Sequence, residues 1–125
     1  MERTNTSDAS YEEVSDGVYL ADLAMGRRAS VKSWRIEPGA TLPVHRHHNE
    51  QIGYVLSGTL VALTEDQKIT LSPGDCYRFP SQELHGAENR STEPAVGIGV
   101  LAPPREQPDW GDVGVTDAFP DRTQR

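Results

Sequence analysis

The sequence predicts an all-β fold, one barrel or sandwich of short strands, and three observations carry that reading. No segment between residues 17 and 102 keeps a helical period over ten residues. Apolar and polar residues alternate instead in short runs. Glycine and proline punctuate those runs at the roughly 8–12-residue spacing that sandwiches, jelly rolls and barrels show.

The strands follow in order. Gly17 to Ala21 is the first, and Met25-Gly26-Arg27-Arg28 reads as a turn. From Ala29 to Ile36 the side chains alternate, Val31, Ser33 and Arg35 on one face and Lys32, Trp34 and Ile36 on the other. Pro38-Gly39 ends that strand, and a long bend is expected from Ala40 to Val44. Gln51 to Leu56 and Thr59 to Leu63 flank a Ser57-Gly58 turn, and Glu65-Asp66-Gln67 forms a hairpin tip before Lys68 to Leu71. After Pro73-Gly74-Asp75 come Cys76 to Phe79, His85 to Glu88 and Ala95 to Leu101. The chain thus divides into a polar arm (1–16), a folded unit (17–102) and a tail of Pro, Gly and charged residues (103–125).

Composition narrows the partners. A chain of 125 residues suits one domain. The net charge is −7, and the basic residues are scattered, so the stripe that a phosphate backbone demands is missing. Nucleic acid and anionic membrane surfaces are therefore not expected partners. The single cysteine, Cys76, allows no internal disulfide and is expected as a buried thiol in its strand. No apolar run approaches the ~18 residues of a membrane span, and Met1 to Ser10 lacks an apolar signal core, so the expected location is the cytoplasm.

Chemistry concentrates in the histidines. Three of the four lie in His45-Arg46-His47-His48 and the fourth is His85. Strand alternation puts His45 and His47 on one face, about 7 Å apart, close enough to share an ion at metal–nitrogen distances of about 2.1 Å. His48 then faces away. Gly39 precedes His45 by six residues, Gln51 follows His47 by four, and Gly58 follows Gln51 by seven. Further on, Gly74 precedes Pro80 by six, with His85 and Asn89 after it.

This double pattern, from Gly39 to Gly58 and from Gly74 to Asn89, resembles the two-motif signature of the cupin superfamily. The resemblance implies a single-domain jelly-roll barrel, the double-stranded β-helix, holding one divalent transition metal (Zn, Ni, Fe or Mn) through His45, His47 and His85. Two positions depart from it. Gln82 replaces a turn glycine, and Gln51 stands where a glutamate is usual, beside Glu50. The spacing to Gly58 favours Gln51 as fourth ligand; Glu50, or a site of three histidines alone, remain the alternatives. Neutral ligands would leave the ion's charge uncompensated and favour an anionic small-molecule substrate. Asn49, Tyr54 and Gln82 are candidates to hold the outer imidazole nitrogens.

The stretch His47 to Gly58, with Leu71 to Asp75 and Ala102 to Glu106, is similar to the small pectin-degradation cupins of the KdgF type. That likeness implies three histidines and a glutamine on the metal, isomerisation of unsaturated uronates, and Arg105 facing the substrate carboxylate. It also implies an acid where this chain has Gly99, with Glu88 and Glu106 as possible substitutes. A dioxygenase acting on a small enolisable substrate, in a pocket of Phe79, Ile98 and Leu101, is a second reading. A non-catalytic binding cupin is a third. A homodimer is expected, because open jelly rolls have strand edges to cover.

Overall fold

The computed structural model describes residues 1–104, and the tail from Arg105 onward, with Glu106, Trp110 and Phe119, lies outside the described residues. Ten strands form two antiparallel sheets. They are β1 (Glu12–Ser15), β2 (Val18–Met25), β3 (Ser30–Ile36), β4 (Thr41–His45), β5 (Glu50–Ser57), β6 (Leu60–Thr64), β7 (Lys68–Leu71), β8 (Cys76–Phe79), β9 (His85–Glu88) and β10 (Ala95–Ala102). The larger sheet runs β1-β2-β3-β10-β5-β8 and the smaller β4-β9-β6-β7. Among the described residues the remaining regular element is one 3-10 turn at Thr6–Asp8.

The inner faces of the two sheets make the core. Val18, Trp34, Ile36, Val55, Leu60 and Phe79 are buried together there, each at an alternate position of its strand. On β3 the inward face is Lys32, Trp34 and Ile36, as the alternation predicts. On β8 the same rule turns Tyr77 and Phe79 inward, and it therefore exposes Cys76, which is not the buried thiol expected from its strand setting.

Two strands were not anticipated. β1 adds to the edge of the large sheet through Glu12–Leu20 and Glu13–Tyr19 pairing, in a segment too polar to announce itself. β4 occupies most of the expected bend, pairing with β9 through Thr41–Glu88 and His45–His85. Its register shifts between Leu42 and His45, where Pro43 has no N–H to give the ladder. A proline is tolerated because β4 is an edge strand.

Glycines set the spacing at two places that matter for the interior. Gly58, at φ +75°, turns β5 into β6, and a Cβ there would lie 2.2 Å from the Pro94 carbonyl oxygen. On β10, a Cβ at Gly97 would meet Trp34 Cζ2 at 2.1 Å, so the indole lies flat across that strand. Buried Asn89 closes the turn before β10. Its Nδ2 donates to the Ile36 and Glu93 carbonyls at 2.9 and 2.8 Å, and its Oδ1 accepts from the Ser91 amide and hydroxyl.

Candidate metal centre

His45 ends β4, His85 opens β9 opposite it, and His47 lies just beyond β4. The meeting of His45 with His47 therefore does not follow from strand alternation, since the strand has stopped before His47. The turn does it: the Gln82 amide donates to the His47 carbonyl at 2.8 Å and pins that segment to the loop before β9. Gln82 pays for this with φ 68°, in the left-handed region where the related pattern has glycine.

All three imidazoles are buried, and they offer ligand atoms that lie within 4.8 Å of one another. Their ring centroids are 4.4 to 5.2 Å apart. Each Nδ1 sits on a backbone carbonyl: His45 on Pro43 at 2.7 Å, His47 on Asn49 at 2.9 Å, His85 on Glu83 at 2.9 Å. A carbonyl only accepts, so each Nδ1 carries the proton and each Nε2 keeps its lone pair for an ion. This donor set suits a divalent transition metal, and it contains no thiolate to close it as a structural zinc site. The outer nitrogens are thus held by main chain, not by the side chains of Asn49, Tyr54 or Gln82. The Asn49 side chain instead donates to the Pro103 carbonyl at 2.5 Å, and Tyr54 is exposed on the outer face.

Gln51 points into the interior, its Oε1 3.2 Å from His47 Nε2. Two atoms bound at about 2.1 Å to one ion stand about 3 Å apart when at right angles, so this separation fits a shared ion. Glu50 faces the other way and pairs with Arg78 at 3.0 Å. His48 is exposed. Phe79 stacks on His85, 4.1 Å between centroids and 6° from parallel, which fixes that ring's plane.

Behind the histidines opens a cavity lined mainly by aliphatic and aromatic side chains, among them Leu20, Ile36, Leu60, Phe79 and Leu101. Ile98 is not among them; it alternates outward. Glu88 pairs with Arg90 at the surface and does not line the cavity either. Three polar side chains not singled out by the sequence reading face inward: Lys32, Trp34 and Tyr77. Lys32 is buried and ion-paired with Asp22 at 2.5 Å. Burial pushes the Tyr77 phenol up to about 12, opposed by the nearby Trp34 and Gln51 side chains. Strand alternation puts Lys32 on the side of Trp34 and Tyr77 on the side of Phe79, and both sides face inward.

The cupin-domain family matches residues 32–101, more than half of the chain. The chain belongs to the cupin family. This cupin is 28% identical over 96 residues to the pectin degradation protein KdgF of Dickeya dadantii, covering 76% of this chain and 86% of that one. It is 34% identical over 67 residues to H2HPP isomerase of Bacillus subtilis, covering 54% of this chain but 28% of that protein's length. The structure of KdgF from Halomonas sp. superposes with a TM-score of 0.78 at 25% identity, over 85% of this chain and 96% of that one. The polyketide cyclase RemF of Streptomyces resistomycificus shares the fold, with a TM-score of 0.78 at 20% identity over 100% of this chain and 94% of that one.

Proposed function

We propose that this cupin is a metal-dependent isomerase that shifts a proton on a small, enolisable organic acid. The convergence of three Nδ1-protonated histidines beside a mainly apolar cavity, which His45 and Gln51 line, carries this reading. His45, His47 and His85 would hold the ion, with the Gln51 amide oxygen beside them. A divalent ion there supplies Lewis acidity toward a carbonyl or hydroxyl oxygen. The chain's own groups do the rest. The apolar walls exclude water, which strengthens every electrostatic contact inside. Tyr77, neutral across the physiological range, donates a hydrogen bond without adding charge. Likeness to two proteins named for pectin degradation and for an isomerase supports the reaction class.

The test is a metal analysis of the purified protein, then assays of an unsaturated digalacturonate and of simple oxo acids under air and under nitrogen. Turnover with zinc or nickel, indifferent to oxygen, is the expected result. One observation favours a second reading: Phe79 and Leu101 give the cavity the apolar wall that a dioxygenase needs. Iron in the protein together with substrate-dependent oxygen uptake would replace the isomerase with that enzyme.

A further inference from the structure

One cross-strand row of the large sheet differs from its neighbours. It runs Asp22, Lys32, Gly99, Gly53, Tyr77, each residue paired directly with the next across β2, β3, β10, β5 and β8. Lys32, Gly99 and Tyr77 all border the cavity. The two glycines leave a furrow in the sheet's inner face, and Tyr77 fills half of it. A Cβ on Gly53 would meet Tyr77 Cζ and Oη at 2.0 and 2.1 Å. Over Gly99, which borders the cavity, a Cβ would meet no clash, with Gln51 Nε2 at 3.7 Å and Trp34 Cδ1 at 3.9 Å in ordinary van der Waals contact.

What surrounds that space is a set of donors. Lys32 stands beside it on β3, and its ammonium is anchored by Asp22, whose side chain is 55% exposed and so lies toward solvent. The Trp34 indole spans from Gly97, where Cε2 would lie 2.5 Å from a Cβ, to Gly99, where Cδ1 would lie 3.9 Å from one. Nε1 joins those two carbons, so it lies on the part of the indole between the two glycines. That N–H is buried, near the Tyr77 hydroxyl but with no hydrogen-bond partner of proper geometry. A buried donor left unpaired is rare and costly, and a cationic neighbour makes a negatively charged acceptor the matching occupant. The rest of the cavity is hydrocarbon, which repels hydroxyl-rich groups.

The geometry points to the space over Gly99 as the subsite for the substrate's carboxylate, received by the Lys32 ammonium and the Trp34 N–H, with an apolar hydrocarbon group filling the remaining cavity. This rests on the metal-dependent isomerase reading above and narrows its substrate to oxo acids with an apolar body. Gln51 separates the subsite from the histidines, so the acid's carbonyl falls on the metal side and its carboxylate on the Lys32 side.

The experiment uses the full-length, zinc-loaded protein and two probes, 4-methyl-2-oxopentanoate and its uncharged methyl ester, titrated by calorimetry. Zinc content is measured for every variant. The acid is expected to bind about tenfold or more tightly than the ester, the usual size of one buried charge-assisted contact. Lys32→Met should erase that preference, and Lys32→Arg should restore most of it. Gly99→Ala meets no clash and should fold; Gly99→Asp should abolish binding of the acid through repulsion while zinc stays bound. Absence of any binding of the acid to the zinc-loaded protein overturns the inference. So does undiminished acid binding in folded Gly99→Asp or Lys32→Met, as does a loss confined to Arg105→Ala. Proton exchange at C3 of the acid, followed by NMR in heavy water, reads the isomerase reading separately. Exchange that ignores Lys32 keeps that reading and overturns this one. Lys32-dependent binding without exchange does the reverse.

Discussion

At the scale of single residues, the histidine tautomers decide the chemistry. Because each Nδ1 is held by a carbonyl, removing an imidazole removes a preorganised ligand as well as a nitrogen. Outer-sphere partners alone are worth roughly 10–100-fold in metal affinity, so His45→Ala, His47→Ala or His85→Ala should each cost more than that. Exposed His48→Ala should leave metal content unchanged, and equal metal retention in His47→Ala and wild type would refute the site. Gln51→Glu should keep the metal, through its added charge, and slow a Lewis-acid reaction. Glu50→Gln, which loses one exposed pair with Arg78, should change neither. Tyr77 offers a pH signature. Its folded-state pKa is raised, so the fold favours the neutral phenol. That contribution is complete below the ordinary value near 10 and is lost as pH rises through about 12. A 295 nm titration should show a late phenol step at about 12, and Tyr77→Phe should remove it.

At the scale of elements, turns carry as much of the site as strands do. The turn at Gly58 lets β6 fold back from β5 against the chain entering β10. Alanine there meets both a positive φ and a backbone oxygen that has no room to move. Gly58→Ala should therefore destabilise the fold by about 2–3 kcal/mol, seen as a lower urea midpoint with an unchanged slope. Gln82 is the opposite case, a side chain in a conformation glycine prefers. Gln82→Gly should relieve about 1 kcal/mol at that residue, and a stability gain without loss of metal would show that the His47–Gln82 link needs only the backbone.

For the whole molecule, the outer face of the large sheet bears on assembly. Ile52, Tyr54 and Leu56 lie along the outside of β5, 46%, 39% and 49% exposed, next to Ile98 and Val100 of β10. The homodimer expected from sequence would cover an apolar stripe of this kind. Light scattering should give twice the 13.7 kDa chain mass, and Tyr54→Asp with Leu56→Asp should give the chain mass without loss of metal. A wild-type monomer at micromolar concentration would end that expectation. Among the described residues, no helix is long and apolar enough to cross a membrane.

Sequence alone located most strands of the folded unit, because period-two alternation and turn glycines are local signals that survive without tertiary context. Sequence pointed to His45, His47 and His85 as one cluster through the spacing of the two histidine motifs, not through alternation. It also turned Gln51 inward and Glu50 outward, since register is a matter of parity once Gly58 is fixed. It could not see β1 or β4, whose residues gain strand geometry only from the partner beside them. Nor could it name the carbonyls under the imidazoles, because backbone groups carry no sequence label. Alternation already put Lys32 and Trp34 on one face, but their meeting with Tyr77 was the tertiary structure's decision. Only when five strands lie side by side do Gly53 and Gly99, forty-six residues apart in sequence, form one furrow that Tyr77 half fills.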